Sequence, residues 1–444
     1  MRESGLAYNG QSSGTTRAAD GALQRVVIVG GGFGGLYAAR ELRRAPVRLT
    51  LIDRRNFHLF QPLLYQVATG GLSPADIAAP LRSVLKGHPR AHVVLAEVVD
   101  LDLPGRRVLL HQGAIGYDTL VVAAGARHHY FGHDEWAERA PGLKTVEDAT
   151  RIRGQILRAF ERAEGAAGSA HAQALLTFVI VGGGPTGVEL AGAIGELARH
   201  TLRGNFRRID PASANIVLVE GAERILPTYP PRLSAAAEHS LRRLGVRVET
   251  GTLASAIDEE SVTLSRGHER RVVPAATILW AAGVQASPLA SVLSRRGGAE
   301  LDRAGRVKVG ADCSIPGHPE ILVIGDMALQ LQDGCALPAI APVAMQQGRY
   351  VARLIRDRLD GRGTPPFRYR SKGNLAVIGR AAAVADLGWL QFTGYPAWLL
   401  WLFVHILYLV EFGNRLLVFV HWAYGYFTRR RGARLITEPG QRTD

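Results

Sequence analysis

Short aliphatic runs that end on glycines recur along the first three quarters of the chain. Val26-Val27-Ile28-Val29 has no polar alternation, the pattern of a strand buried on both faces of a parallel sheet. It runs into Gly30-Gly31-Gly32-Phe33-Gly34-Gly35 and then into a helical pattern over 36–42. A second strand over 48–52 ends on Asp53, eighteen residues beyond Gly35. The construction then repeats. Phe178-Val179-Ile180-Val181 leads into Gly182-Gly183-Gly184-Pro185-Thr186-Gly187 and a helical stretch, and the strand over 216–219 ends on Glu220. A polar loop over 203–214 lengthens this second unit. Apolar runs at 120–122, 278–280 and 321–324 read as further core strands.

The pattern changes near the C-terminus. From Trp389 to Val410 no residue carries a formal charge. Those 22 residues are long enough for a single spanning helix of roughly 20, but Gln391, Thr393, Gly394 and Pro396 interrupt the first part and leave a shorter dense stretch over 395–410. A second run, Leu416 to Phe427, is shorter still. Trp389, Trp398, Trp401 and Trp422 concentrate here, and aromatic residues favour the headgroup boundary. Arg429, Arg430, Arg431 and Arg434 follow, placed to meet anionic lipid. The expectation is two apolar helices lying on one leaflet. A buried dimer interface is the competing use of the same residues.

Glycines at 30, 32 and 35, and again at 182, 184 and 187, fit G-x-G-x-x-G. The pattern supplies a tight turn, close backbone approach to a pyrophosphate, and close helix–strand packing. The helix N-terminus behind each turn offers free N–H groups to phosphate oxygens. With 51 glycines in 444 residues, about 0.7 matches are expected by chance, so one motif alone says little. Two in register with strand-terminal acids say much more. Asp53 and Glu220 are placed for the ribose hydroxyls, and Glu220 would repel a 2′-phosphate, which favours NADH over NADPH; Arg224 nearby opposes that preference. Two dinucleotides in one chain point to flavin reduction by a nicotinamide.

Composition narrows the classes. The net charge of +14 is almost all arginine, spread along the chain without a basic stripe interleaved with aromatics, so no nucleic-acid partner is expected. The polar N-terminal stretch lacks the apolar core of a secretory signal and reads as a loose tail. Cys313 and Cys335 form neither a disulfide framework nor a metal ligand set, and no metal is expected.

These motifs resemble the two-dinucleotide-binding flavoproteins, and among them the type II NADH dehydrogenases, which are NADH:quinone oxidoreductases. The most specific stretch runs from Leu51 through Asp53-Arg54-Arg55-Asn56-Phe57-His58 to Gln66-Val67-Ala68 and is similar to the family's flavin-proximal segment. Ala123-Ala124-Gly125, Ala281-Ala282-Gly283 and Ile324-Gly325-Asp326 resemble the turns that close the two nucleotide domains and complete the FAD site. The resemblance implies an α/β fold of two Rossmann-like domains plus a C-terminal apolar helical membrane-anchoring module. It divides the chain into a tail (1–24), an FAD domain in two parts (25–140 and 295–370), an NADH domain (141–294) and the membrane module (371–444).

It further implies that FAD is held by Gly30, Gly32, Phe33, Gly34, Gly35, Asp53, Arg54, Gln66, Ala124, Gly125, Gly325, Asp326 and Ala344. NADH falls to Gly182, Gly184, Thr186, Gly187, Glu220 and Gly283. Glu189 is placed beside the flavin, to position nicotinamide or relay charge. Ala341-Pro342-Val343-Ala344-Met345-Gln346-Gln347-Gly348 resembles the family's quinone motif, which gives Gln346 and Gln347 the donor role; Pro342 replaces its first Gln. The implied partners are a membrane quinone, the bilayer surface on the cytoplasmic face of the cell membrane, and a second copy of the chain in a homodimer. Disulfide reduction is excluded, because no cysteine precedes residue 313. A reductase of a soluble redox partner and a membrane-attached redox sensor are the alternatives.

Overall fold

The computed structural model describes residues 23–410, 412–428 and 431–437. Residues 1–22 of the expected tail lie outside the described residues, as do Arg429 and Arg430; Gln24, its last expected residue, already opens the first strand.

The chain first builds β1 (Gln24–Val29), α1 (Phe33–Glu41), β2 (Val47–Asp53), β3 (Ala91–Leu95) and β4 (Thr119–Val122). These strands are parallel, with β1 between β2 and β4. Because helices and loops cover both faces, Val26, Val27, Ile28 and Val29 are all buried, which is why the run lacks polar alternation. The chain then crosses through β5 (Ala126–His128) to the second unit. That unit contains α2 (Val146–Gly165), β6 (Thr177–Val181), α3 (Pro185–Glu196), β7 (Asn215–Glu220), α4 (Pro231–Arg243), β8 (Val246–Thr250) and β9 (Thr277–Trp280). Its sheet has the order β8-β7-β6-β9, all parallel.

The return strand β10 (Val284–Ala286) pairs antiparallel with β5, so two short strands join the units. After β11 (Ser314–Ile315), β12 (His318–Val323) lies parallel beside β4 and completes the first sheet as β11-β12-β4-β1-β2-β3. Next comes α5 (Ala341–Leu359), which packs on α1. A Cβ added at Gly348 would sit 2.3 Å from the Gly34 carbonyl oxygen, so glycine lets the two helix backbones touch.

The C-terminal module is a small antiparallel sheet, β13 (Asn374–Gly379), β14 (Ala382–Asp386) and β15 (Gln391–Thr393), followed by α6 (Tyr395–Tyr408) and α7 (Phe412–Thr428). The left-handed backbone at Gly394 and the proline behind it mark the switch from strand to helix. The second apolar helix is longer than the run over 416–427 suggested, because Gly413, Asn414 and Arg415 join it. Among the described residues no helix is long and apolar enough to cross a membrane.

Candidate active site

Each glycine motif builds the same turn. Gly30 and Gly182 adopt φ of +104° and +110°, where a side chain would be strained. A Cβ at Gly35 or Gly187 would lie 1.8 Å from the carbonyl oxygen of Gly30 or Gly182, so only glycine fits where helix meets strand. Gly32 and Gly184 precede α1 and α3 as their N-caps and face open space. The two acids are held alike. Asp53 accepts the Gly31 N–H at 2.6 Å and the Arg55 N–H at 2.7 Å; Glu220 accepts those of Gly183 at 2.6 Å and Ala222 at 2.7 Å. Each carboxylate is therefore fixed in direction and keeps lone pairs for hydroxyl donors. Arg224 turns its guanidinium to the Pro227 carbonyl oxygen.

A cavity of about 720 Å³ lies at the C-terminal ends of β1 and β4, where strand order reverses, and reaches across to the start of α3. Gly30, Gly32, Phe33, Gly34, Asp53, Arg54, Ala124, Gly125, Gly325, Asp326 and Ala344 line it from the first unit. Thr186, Glu189 and Gly283 line it from the second. Gly182, Gly184, Gly187 and Glu220 form the second turn and Gly35 the packing contact; none of the five lines this cavity. The first turn, its open helix N-terminus and the oriented Asp53 fit the pyrophosphate and ribose of a dinucleotide such as FAD.

Glu189 is half-buried, facing the cavity beside Tyr65. It accepts a long hydrogen bond, 3.5 Å from the Val377 N–H. Burial drives its pKa up to about 8, against the opposing hydrogen bond, so at neutral pH the carboxyl holds a proton. Tyr65 is pushed well above its ordinary value by burial and then by Glu189. His58 sits beneath the glycine turn with Nδ1 2.9 Å from the Gly31 carbonyl oxygen; burial lowers it to about 4, and it stays neutral.

Four expected placements are corrected. Gln66 does not line the cavity: its Nε2 donates to the Tyr65 hydroxyl at 2.8 Å and its Oε1 accepts the Trp422 Nε1–H at 2.7 Å. Gln346 clasps the Arg370 backbone through both amide atoms, at 2.9 and 3.0 Å. Gln347 is buried and bonded to Gly325 and Gln330. Both amides are committed to protein partners and neither lines the cavity, so the structure does not bring either one into a donor position there. Arg431, expected at lipid, is instead turned inward, donating to the Thr69 carbonyl oxygen at 3.1 Å and to Glu196 at 3.2 Å.

Sequence reasoning missed Lys144, whose ammonium lies in the cavity 3.8 Å from Asp326, and Tyr65. The rarity of lysine in this arginine-rich chain was the one signal for the first; Tyr65 stood in the quoted flavin-proximal stretch without being singled out.

The model of the pyridine nucleotide-disulphide oxidoreductase family matches residues 24–348, and that of the NDH2 C-terminal domain matches residues 371–431. A type II NADH:quinone oxidoreductase of Mycobacterium tuberculosis is 45% identical over 93% of this chain and 90% of its own length. One from Staphylococcus haemolyticus is 28% identical over 84% and 92%. Among solved structures, NDH2 from Plasmodium falciparum in complex with NADH superposes with a TM-score of 0.84 at 20% identity, covering 94% of this chain and all of that one. The sulfide:quinone oxidoreductase of Aquifex aeolicus reaches 0.71 at 17% identity, over 91% and 96%. With both nucleotide turns, the shared cavity and the C-terminal module in place, the chain belongs to the pyridine nucleotide-disulphide oxidoreductase family and, within it, to the type II NADH:quinone oxidoreductases.

Proposed function

We propose that the chain oxidises NADH and reduces a membrane quinone through a bound FAD, without pumping protons. The observation that carries this reading is the single cavity shared by the first glycine turn and by Thr186 and Glu189 of the second unit. A bound FAD would supply the two-electron chemistry that links hydride donation by NADH to reduction of the quinone.

The chain's own residues bind, orient and supply protons. The α1 N-terminus and Asp53 would hold the flavin nucleotide, with Lys144 and Asp326 facing the same cavity. The α3 N-terminus and Glu220 hold NADH, and the fixed Glu220 carboxylate favours a free 2′-hydroxyl over a 2′-phosphate. Reducing quinone to quinol consumes two protons, one balanced by the hydride and one from solvent. Neutral Glu189, beside Tyr65 in the cavity, is placed to pass a proton inward.

The exposed apolar face of α6 and α7 supports docking on the bilayer, from which a lipid-soluble quinone can reach the flavin. The same reading places the protein on the cytoplasmic face and takes a homodimer as its working form. Purification in detergent should give a yellow protein that NADH bleaches and a short-chain quinone reoxidises. Bleaching without reoxidation by quinone would favour a different acceptor, and a protein without flavin would end the proposal.

A further inference from the structure

The stretch Ala341–Gly348 was expected to serve the quinone. Its second glutamine points elsewhere. Gln347 is 1% exposed; its Oε1 accepts the Gly325 N–H at 2.7 Å, and its Nε2 donates to Gln330 Oε1 at 2.9 Å. Gln330, 2% exposed, donates in turn to the carbonyl oxygens of Gly310 and Ala311 at 3.2 and 3.4 Å, and the Cys313 thiol lies 3.7 Å from its Oε1. The pair forms a closed relay of buried amides in which every side-chain O and N has a protein partner. A buried amide so engaged has nothing left to offer a quinone without orphaning its neighbours.

What the relay holds is a cavity wall. Gly325 takes the left-handed φ of +71°, and its N–H is tied down by Gln347, so the direction in which the chain enters Asp326 is fixed. Asp326 lines the cavity, as does Ala344, one turn before Gln347 on α5; a Cβ at Gly325 would lie 3.4 Å from that of Ala344. Gly348 brings the same stretch of α5 into backbone contact with Gly34 of the first glycine turn. One helix thus sets the turn at 325–326 in register with the turn at 30–35.

We propose that Gln347 and Gln330 are positioning residues for the flavin: the amide relay holds the Gly325–Asp326 turn in its binding geometry, and the glutamine of the supposed quinone motif serves flavin retention instead. This rests on the FAD reading above. The test uses the purified holoenzyme and its Gln347→Met and Gln330→Met variants, the second being further from the turn and so a safeguard if the first fails to fold. Leu241→Ala, a fully buried change on α4 remote from the turn, serves as a stability control. FAD release is followed by recovery of flavin fluorescence, with melting temperature measured alongside.

Both Met variants should release FAD at least about tenfold faster, while the KM for a short-chain quinone at saturating FAD stays within about twofold. Leu241→Ala, at an equal or larger loss of melting temperature, should leave FAD release within about twofold of wild type. Unchanged FAD release with a raised quinone KM would overturn the inference and restore the quinone role. Faster release in Leu241→Ala to the same degree would also overturn it, by showing general loosening. A wild type that carries no flavin would instead sink the flavin reading itself.

Discussion

Glu189 sits where two physical effects oppose each other. The Val377 N–H favours its carboxylate form, yet burial wins and carries its pKa to about 8. The sign follows from linkage. Between the ordinary carboxyl value of 4.5 and about 8, the folded protein keeps a proton that the unfolded chain would release. That contribution to stability is complete below the lower value and is lost as pH rises through about 8. Glu189→Gln imitates the protonated form but cannot give up a proton. Wild-type turnover with a short-chain quinone should decline above about pH 8, and the variant should lack that inflection. Its rate at neutral pH should fall by about 10²-fold if Glu189 delivers the proton. Its melting temperature should also decline less than wild type between about pH 4.5 and 8. An unchanged inflection in the variant would assign the titration to another group.

Glu189 belongs to a face of α3 that carries the C-terminal module. Glu189, Gly192 and Glu196 share one side of the helix. Glu189 accepts the Val377 N–H, a Cβ at Gly192 would lie 1.8 Å from the Ile378 carbonyl oxygen, and Glu196 accepts the Arg380 N–H. Strand β13 is thus laid directly on α3, in contact with the residue that holds the cavity proton. Gly192→Ala forces the two backbones apart. It should cost about 1–3 kcal/mol, read as a lowered melting temperature, and should move the Glu189 inflection. A fully tolerated alanine would mean that the contact is slack. This contact also shows what the sequence could and could not disclose. Gly30, Gly35, Gly182 and Gly187 were legible because their requirements are local: a positive φ, or a helix crossing its own strand. The apolar strands and the acids after β2 and β7 were legible by the same local logic. The partners of Gly192, Gln66, Gln347 and Arg431 come from distant segments, and no periodicity encodes which amide faces which. Family resemblance assigned Gln66 and Gln347 to ligands; tertiary packing ties them to Trp422 and to Gly325 and Gln330.

The whole molecule is asymmetric in the way the proposed docking on a bilayer would need. The inner side of the helical pair is packed, with Ala397, Trp401 and Val418 buried and Trp422 bonded to Gln66 beside the cavity residue Tyr65. The outer side leaves Leu399, Phe403 and Leu407 of α6 exposed at helical spacing, joined by Leu416, Leu417 and Val420 of α7. At 14 and 17 residues the helices extend roughly 21 and 25 Å, short of the roughly 30 Å hydrocarbon core, and they suit lying in one leaflet. On that proposal the net charge of +14 would add attraction to anionic headgroups. Burying a leucine or phenylalanine side chain is worth about 1.5–3 kcal/mol, so a double Leu399→Glu, Phe403→Glu variant should lose at least about 100-fold in partition onto anionic vesicles. Neither residue lines the cavity, so reduction of a water-soluble short-chain quinone should survive. Reduction of a long-chain quinone embedded in the vesicles should fall with the binding. Sedimentation of the protein with vesicles, alongside both quinone assays, separates the outcomes. Undiminished vesicle binding would move the docking surface elsewhere, and loss of activity toward both quinones would tie this face to the chemistry itself. Vesicle binding lost while long-chain quinone reduction persists would show that the quinone reaches the flavin without this docking.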